Sequence, residues 1–125
     1  MSESNKQKRN PKWSREELIL ALDLYFRHSP STISQDHESV IELSNFLDRL
    51  GKLRGQTKDD KFRNTNGVYM KLCNFLRFDP SYSGTGLQRG GKLEEEIWKE
   101  FAESRSKLQD AVTEIKASVS QGNIA

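Results

Sequence analysis

The sequence predicts a mainly α-helical fold, a compact bundle of four to five helices with a long glycine-rich, basic loop. Three observations support this prediction. Apolar residues recur at helical spacing in several separate segments, no segment alternates as a half-buried strand does, and helix-capping residues open several of the periodic segments. At 125 residues the chain is long enough for one domain with a modest core.

The first two helices have clear boundary signals. A serine–x–x–glutamate capping box opens the first helix at Ser14, and the proline at position 30 predicts that this helix ends near His28. The second helix is predicted from about Asp36 to Leu50. Gly51 follows its last apolar residue and is a natural stop.

Three further helices are predicted in the second half of the chain. One begins near Asn64 or Thr65 and runs to about Phe75, since an asparagine or threonine is a good N-cap. A short helix covers residues 93–101, and Ser104 caps a last amphipathic helix. Residues 78–92 between them have glycines, a proline and no hydrophobic period, so we expect a long and functional loop.

The domain organisation follows from these elements. Residues 1–12 are expected to be a flexible basic arm, residues 13–119 a helical recognition domain, and residues 120–125 a polar tail that begins a linker. No apolar run approaches the length of a membrane span, and the N-terminus lacks the apolar core of a signal peptide. A single cysteine, Cys73, fits a reducing compartment. We therefore expect a cytoplasmic protein that does not contact membranes.

The charge of the chain is unevenly distributed. Residues 52–92 contain nine Lys/Arg and three Asp/Glu, whereas the rest of the chain contains eleven and fifteen. A basic segment interleaved with Asn, Gln, Tyr and Phe is typical of a surface that binds a polyanion. Cations can hold phosphates, and side-chain amides can read base edges. Double-stranded DNA is thus the expected partner.

Candidate DNA-binding residues lie in two segments of this basic block. The first segment is the start of the third helix. Its polar residues either cap the helix, or contact a phosphate or base edge, or do both. In the second, the glycine-rich loop is either a plain connection or an insertion into a groove. The candidates are Lys58, Lys61, Arg63, Asn64, Asn66, Tyr69, Lys71, Asn74, Arg77, Tyr82, Ser83, Gln88, Arg89 and Lys92.

Catalytic and metal sites have little support in the sequence. The only histidines are His28 and His37, and no metalloprotease, paired-cysteine or phosphate-loop motif is present. We expect both histidines to be solvated and Cys73 to be a buried structural thiol. Trp13 is expected to pack on the first helix. The prediction is therefore no catalytic residue, no metal and no cofactor.

Three segments resemble the N-terminal region of McrA-like, modification-dependent HNH restriction endonucleases. They are WSREELILALDLYFR, KFRNTNGVYMKLCNFLRFDPSY and GLQRGGKLEEEIWKEFA, and together they span about residues 11–102. The pattern FRN-x-NGV-x-MK-x-x-NF-x-x-x-DP is the most specific part. The resemblance implies recognition of DNA that carries 5-methyl- or 5-hydroxymethylcytosine, in defence against foreign DNA such as phage. The oligomeric state is left open by the sequence, with a homodimer as one option for the full-length protein.

The chain departs from this family because the nuclease half is absent. Two histidines and one cysteine cannot build an HNH site. We therefore expect no cleavage by this chain, which would be part of an endonuclease only together with a C-terminal nuclease domain. Readout inside the duplex is favoured over base flipping, because a small core leaves little room for a deep pocket. The alternative function is a helical interaction or regulatory module that binds an acidic protein.

Overall fold

The computed structural model describes residues 12–56, 62–81 and 91–124, with side chains up to residue 120. In these ranges the chain forms helices and turns and no strand. The mainly helical fold class predicted from the sequence is therefore confirmed. The five helices are α1 (Arg15–Arg27), α2 (Glu38–Leu53), α3 (Thr65–Phe75), α4 (Lys92–Phe101) and α5 (Arg105–Ile124).

Helix α1 is the central element of the bundle. It contacts each of the other four helices, and every residue from Glu17 to Tyr25 is buried. Its central run, residues 18–22, is apolar on all sides, as expected of a helix in such a position. Its start is the predicted capping box, since the Ser14 hydroxyl accepts a hydrogen bond from the Glu17 N–H and the Glu17 carboxylate accepts one from the Ser14 N–H.

Helix α2 extends beyond its predicted end. It continues through Gly51, which is buried inside the helix, and stops at Leu53. Gly55 adopts a φ of 74°, while the Gln56 N–H donates to the Gly51 carbonyl and the Gly55 N–H donates to the Lys52 carbonyl. This pair of bonds is a Schellman motif. The predicted stop at Gly51 is therefore wrong, and Gly55 has that role.

The starts of α3 and α4 depend on side-chain caps. Asn64 is the N-cap of α3, and its Oδ1 accepts a hydrogen bond from the Gly67 N–H at 2.7 Å. At the start of α4 the Glu94 carboxylate accepts the Gly91 N–H at 2.9 Å. A Cβ atom on Gly91 would lie 2.7 Å from Glu94 Oε1, so a larger residue at this position would push the carboxylate out of its present place. The predicted starts of both helices agree with the structure to within one residue.

Helix α5 closes the bundle against α1, α2 and α4. Its buried face carries Leu108, Val112, Ile115 and Val119, as the helical period predicts. The helical backbone continues to Ile124, through the segment expected to be a polar tail. None of the helices within the described ranges is long and apolar enough to cross a membrane.

An aromatic cluster fills the space between α1, α3 and α4. Trp98 is half-buried, and its ring centroid lies 5.4–6.3 Å from those of Tyr25, Phe26, Phe75 and Phe78. The Tyr25 hydroxyl donates to Asp79 Oδ2 at 2.5 Å, which fixes the turn that follows the 3₁₀ segment Leu76–Phe78. Phe101, beyond the cluster at the end of α4, is fully buried.

Candidate nucleic-acid interface

Arg63, a predicted DNA contact, lies in the interior. Its side chain is 4% exposed and forms an ion pair with Glu17, whose side chain is 0% exposed. Arg63 Nε donates to Glu17 Oε2 at 2.8 Å, and its terminal NH2 group donates to Oε1 at 2.9 Å. A guanidinium held in this way is not available to a ligand. The structure gives Arg63 an internal role in place of the expected surface role.

The backbone around Arg63 is equally well fixed. Its N–H donates to Asp48 Oδ1 at 2.7 Å, and its carbonyl accepts the Ser44 hydroxyl, so both bonds link it to α2. The guanidinium also donates to the Lys12 carbonyl at 3.3 Å. These contacts, together with the Glu17 pair, are called the Arg63 knot below. The knot joins α1, α2 and the residue that precedes the N-cap of α3 at one point.

Trp13 packs over the Arg63 knot, as expected of a residue beside the first helix. Its ring lies 5.1 Å from the Arg63 guanidinium carbon and 5.3 Å from Lys71 Nζ. Cation–π contacts at these distances favour packing of the aliphatic part of each cationic side chain against the ring. Trp13 is half-buried against the core cluster.

Lys71, another predicted DNA contact, is paired within the fold. Its Nζ lies 2.8 Å from Glu94 Oε2, and the two side chains are 18% and 9% exposed. Burial raises the pKa of the Glu94 carboxyl, but the hydrogen bond and charge of Lys71 outweigh burial and hold that pKa below its ordinary value of 4.5. This pair joins α3 to the start of α4.

We expect Glu94→Gln to lower stability by about 1–2 kcal/mol at neutral pH, since glutamine keeps the cap but loses the charged bond. A depressed carboxyl pKa contributes stability above its unfolded value, and that stability is lost as pH falls through the folded value. The difference in the free energy of unfolding between variant and parent should therefore shrink below pH 4.5. Urea unfolding at several pH values checks this.

Glu114→Gln is the control, because Glu114 is an exposed carboxylate on α5. It should leave stability unchanged across the same pH range. If the stability difference between Glu94→Gln and the parent stays constant from neutral to acidic pH, the charge of Glu94 does not stabilise the fold.

Three other candidates have partners inside the fold. The Asn64 amide is occupied as the cap of α3. The Tyr69 hydroxyl donates to the Pro30 carbonyl at 2.8 Å, so it has a partner within the fold. Arg77 is exposed, with its guanidinium carbon 5.1 Å from the centre of the Phe78 ring. Of these, Arg77 is the one that remains at the surface as a cation.

A stripe of side chains on the outer face of α3 is left for ligand contact. Asn66 and Met70 are exposed, Met70 at 45%, and Asn74 is half-exposed. Residues spaced by four lie along one face of a helix, opposite the buried Val68 and Leu72. Neither amide makes a hydrogen bond to the described residues. We call Asn66, Met70 and Asn74 the α3 stripe.

A cleft of about 470 Å³ lies beside the α3 stripe, at the start of α4. Its rim carries the exposed Lys12 and Lys92 together with Asn74, and its floor includes Trp13 and Glu94. From residue 62 to residue 78 the sequence has no carboxylate. The stripe and the two lysines therefore form a surface with cationic, amide and apolar groups, which suits a polyanion.

Six of the fourteen predicted contacts have no described position in the fold. Lys58, Lys61, Tyr82, Ser83, Gln88 and Arg89 lie outside the described residues, as does most of the glycine-rich loop. Their assignment as DNA contacts stays a prediction. Lys92, the last candidate, is exposed at the rim of the cleft.

The histidines and the cysteine have structural surroundings. His28 and His37 are half-buried, not fully solvated as expected, with ring centroids 4.7 Å apart, and His37 Nδ1 caps α2 by accepting the Ser39 N–H. Cys73 is half-buried where full burial was expected, and burial raises the pKa of its thiol. Within the described ranges, no three His, Cys, Asp or Glu side chains are grouped so as to hold a metal ion.

No protein-family model, curated protein or solved structure matches this chain. The α3 stripe must therefore be interpreted from its own chemistry.

Met70 is the site residue that sequence reasoning missed. An apolar side chain in a helix ordinarily packs inward, but Met70 lies about 200° around the helix from the buried Val68, since each residue turns the helix by about 100°. The helical period contained this signal, because Met70 falls midway between Asn66 and Asn74.

Proposed function

We propose that this chain is a DNA-binding module that reads the major groove with the α3 stripe and senses a modified cytosine there. The observation that carries the proposal is the stripe itself, an exposed methionine between two amides that have no hydrogen-bond partner among the described residues. Other residues of the same segment have internal partners, among them Arg63, Lys71 and Tyr69.

The dimensions of the stripe suit a duplex. Asn66 and Asn74 are eight residues apart, which corresponds to about 12 Å along a helix. That length covers roughly three to four base-pair steps, and the major groove is wide enough to admit an α-helix. An exposed stripe on a helix can read bases in place, so the proposal involves no base flipping.

The chemistry of the stripe suits a base with an added apolar group. An asparagine amide can form two hydrogen bonds with adenine or accept and donate to other base edges. Met70 supplies a flexible apolar contact between the two amides. A 5-methyl group on cytosine is a small apolar knob in the same groove position as the thymine methyl. A methionine next to amides therefore favours the methylated base.

Lys12 and Lys92 are assigned to flanking phosphates. Both are exposed at the cleft beside Asn74. Phosphate contacts position a protein on DNA without reading sequence, so these lysines contribute affinity and the stripe contributes specificity. With the resemblance to modification-dependent endonucleases, we infer that the module targets a restriction nuclease to modified DNA.

The test uses three DNA fragments of identical mixed sequence, prepared with cytosine, 5-methylcytosine or 5-hydroxymethylcytosine at every C. Binding is measured by fluorescence anisotropy over a salt series. We expect the parent to prefer a modified fragment and to lose affinity steeply with salt, since bound cations release counterions. Met70→Ala should remove most of the preference for modification, and Asn66→Ala or Asn74→Ala should cost about 1–3 kcal/mol on the preferred fragment.

Matched controls separate the two kinds of contact. Lys92→Ala should weaken binding to all three fragments equally and lower the salt slope by about one unit. Asn45→Ala and Lys116→Ala change an exposed asparagine on α2 and an exposed lysine on α5, and should have no effect. If the stripe variants retain both affinity and preference, the α3 stripe is not the interface. If no fragment binds, an acidic protein becomes the better partner.

A further inference from the structure

A second cleft, of about 630 Å³, lies away from the α3 stripe. It is formed by the end of α1, the turn after the 3₁₀ segment and the junction of α4 with α5. Its walls include four aromatic side chains: Tyr25, Phe26, Phe78 and Trp98. A volume of this size is in the range that holds small organic ligands. We call it the aromatic cleft.

The rings of the aromatic cleft face in different directions. The Tyr25 ring is inclined by 75° to Phe26 and by 77° to Trp98. The Phe78 ring is inclined by 35° to Trp98, with their centroids 6.3 Å apart. Rings set at steep angles around one space present π-faces and edges on several sides, as in an aromatic cage.

The charged groups at the aromatic cleft are mainly acidic. Asp79 and Glu103 contribute two carboxylates, against one guanidinium from Arg105. Burial raises the pKa of the Asp79 carboxyl, but hydrogen bonds from Tyr25 and Ser81 outweigh it and keep that pKa below its ordinary value. Asp79 is therefore ionised at neutral pH. This balance disfavours a phosphate and favours a cation.

The aromatic rings already hold a cation of this chain. Among the residues that line the cleft, Arg105 shows this, because its guanidinium carbon lies 3.6 Å from the centre of the Phe26 ring. A π-face of the cleft thus already accepts a positive charge. The largest ring, Trp98, gives the strongest attraction to a cation and lines the cleft without a cation of its own among the described residues.

We propose that the aromatic cleft binds an organic cation, specifically an alkylated ammonium group. The ring faces provide cation–π attraction, Asp79 and Glu103 provide charge complementarity, and the cavity is large enough for a trimethylammonium head. The site shares no residue with the α3 stripe or its lysines. It is a second binding activity beyond the proposed DNA function, so either proposal can fail without the other.

The first test uses choline and its neutral analogue, in which a carbon atom replaces the nitrogen. Binding is followed by the indole N–H resonance of Trp98, assigned by comparison with a Trp13→Phe variant. We expect saturable shifts of the Trp98 resonance, with choline bound about tenfold more tightly than the analogue. Equal binding of the two compounds would show an apolar cavity and overturn the proposal, as would no shift with choline.

Two substitutions should change choline affinity in opposite directions. Glu103→Gln removes one carboxylate and should weaken binding severalfold, whereas Arg105→Gln removes the competing cation and should tighten it. Both residues are exposed, so neither variant should unfold the chain. Glu114→Gln, on the outer surface of α5, is the control and should leave affinity unchanged. If all three variants bind choline with the same affinity, the charges at the cleft do not attract the ligand, and the proposal of a cation is overturned.

A last experiment distinguishes an ammonium group carried by a peptide from one carried by a small molecule. A short peptide carrying trimethyllysine is titrated beside the same peptide with unmodified lysine, with the Trp98 resonance again observed. Tighter binding of the trimethyllysine peptide than of choline identifies a protein side chain as the source of the ammonium group. Tighter binding of choline identifies a small molecule.

Discussion

Replacing Arg63 by methionine is expected to destabilise the fold by about 3–5 kcal/mol, because it leaves the Glu17 carboxylate buried without its cation. Glu17 is 0% exposed, and Arg63 supplies two of its hydrogen bonds. The loss is a large fraction of the stability of a small domain. Urea unfolding followed by circular dichroism measures it. A DNA contact at the surface would instead leave stability unchanged and lower only DNA affinity.

Two further variants identify the cause. Arg63→Lys should also destabilise, since one ammonium group cannot reproduce the planar fork that bonds both carboxylate oxygens. The double variant Arg63→Met with Glu17→Gln should recover part of the loss, because glutamine preserves the cap on Ser14 without a buried charge. A double variant no more stable than Arg63→Met alone would show that the buried charge is not what costs stability.

Trp98→Ala is expected to lower stability by about 3 kcal/mol and the unfolding temperature by roughly 10–20 °C. The ring contacts four other aromatic rings across three elements, so its removal leaves a large gap that the neighbouring rings cannot fill. Thermal unfolding by calorimetry measures the change. The expected magnitude is less than for a fully buried tryptophan, because Trp98 is half-exposed.

Trp98→Phe is the matched control. Phenylalanine keeps one ring in the cluster and should recover most of the stability lost in the alanine variant. Met70→Ala, at an exposed position on α3, should change the unfolding temperature little. An unfolding temperature of Trp98→Ala within a few degrees of the parent would mean that the aromatic cluster contributes little to the fold.

The helices could be predicted from the sequence because their signals are local. The capping box at Ser14 and the cap at Asn64 each involve residues three positions apart, and both occur where expected. The end of α2 was predicted wrongly because two glycines compete for it. Gly51 is followed by two more helical residues, and Gly55 takes the positive φ that ends the helix. Propensity alone does not choose between them.

The candidate site was predicted less well because the partners of its charges are distant in sequence. Glu17 and Arg63 are 46 residues apart, and Lys71 and Glu94 are 23 apart. A count of cations in residues 52–92 cannot show that two carboxylates elsewhere in the chain each neutralise one of them. Asn66 and Asn74 were predicted as candidates and do reach the surface, since polar residues opposite a buried stripe follow the helical period.

The Arg63 knot has a consequence for how α3 can act on a partner. Helix α3 begins one residue after the cap that follows Arg63, and this point is anchored to α1 through Glu17 and to α2 through Asp48. The helix is thus presented in a preorganised orientation, and the entropy of ordering it is lost during folding and not again on association. Substitutions at Glu17 in α1 should therefore alter the recognition proposed for α3 without changing any residue of the α3 stripe.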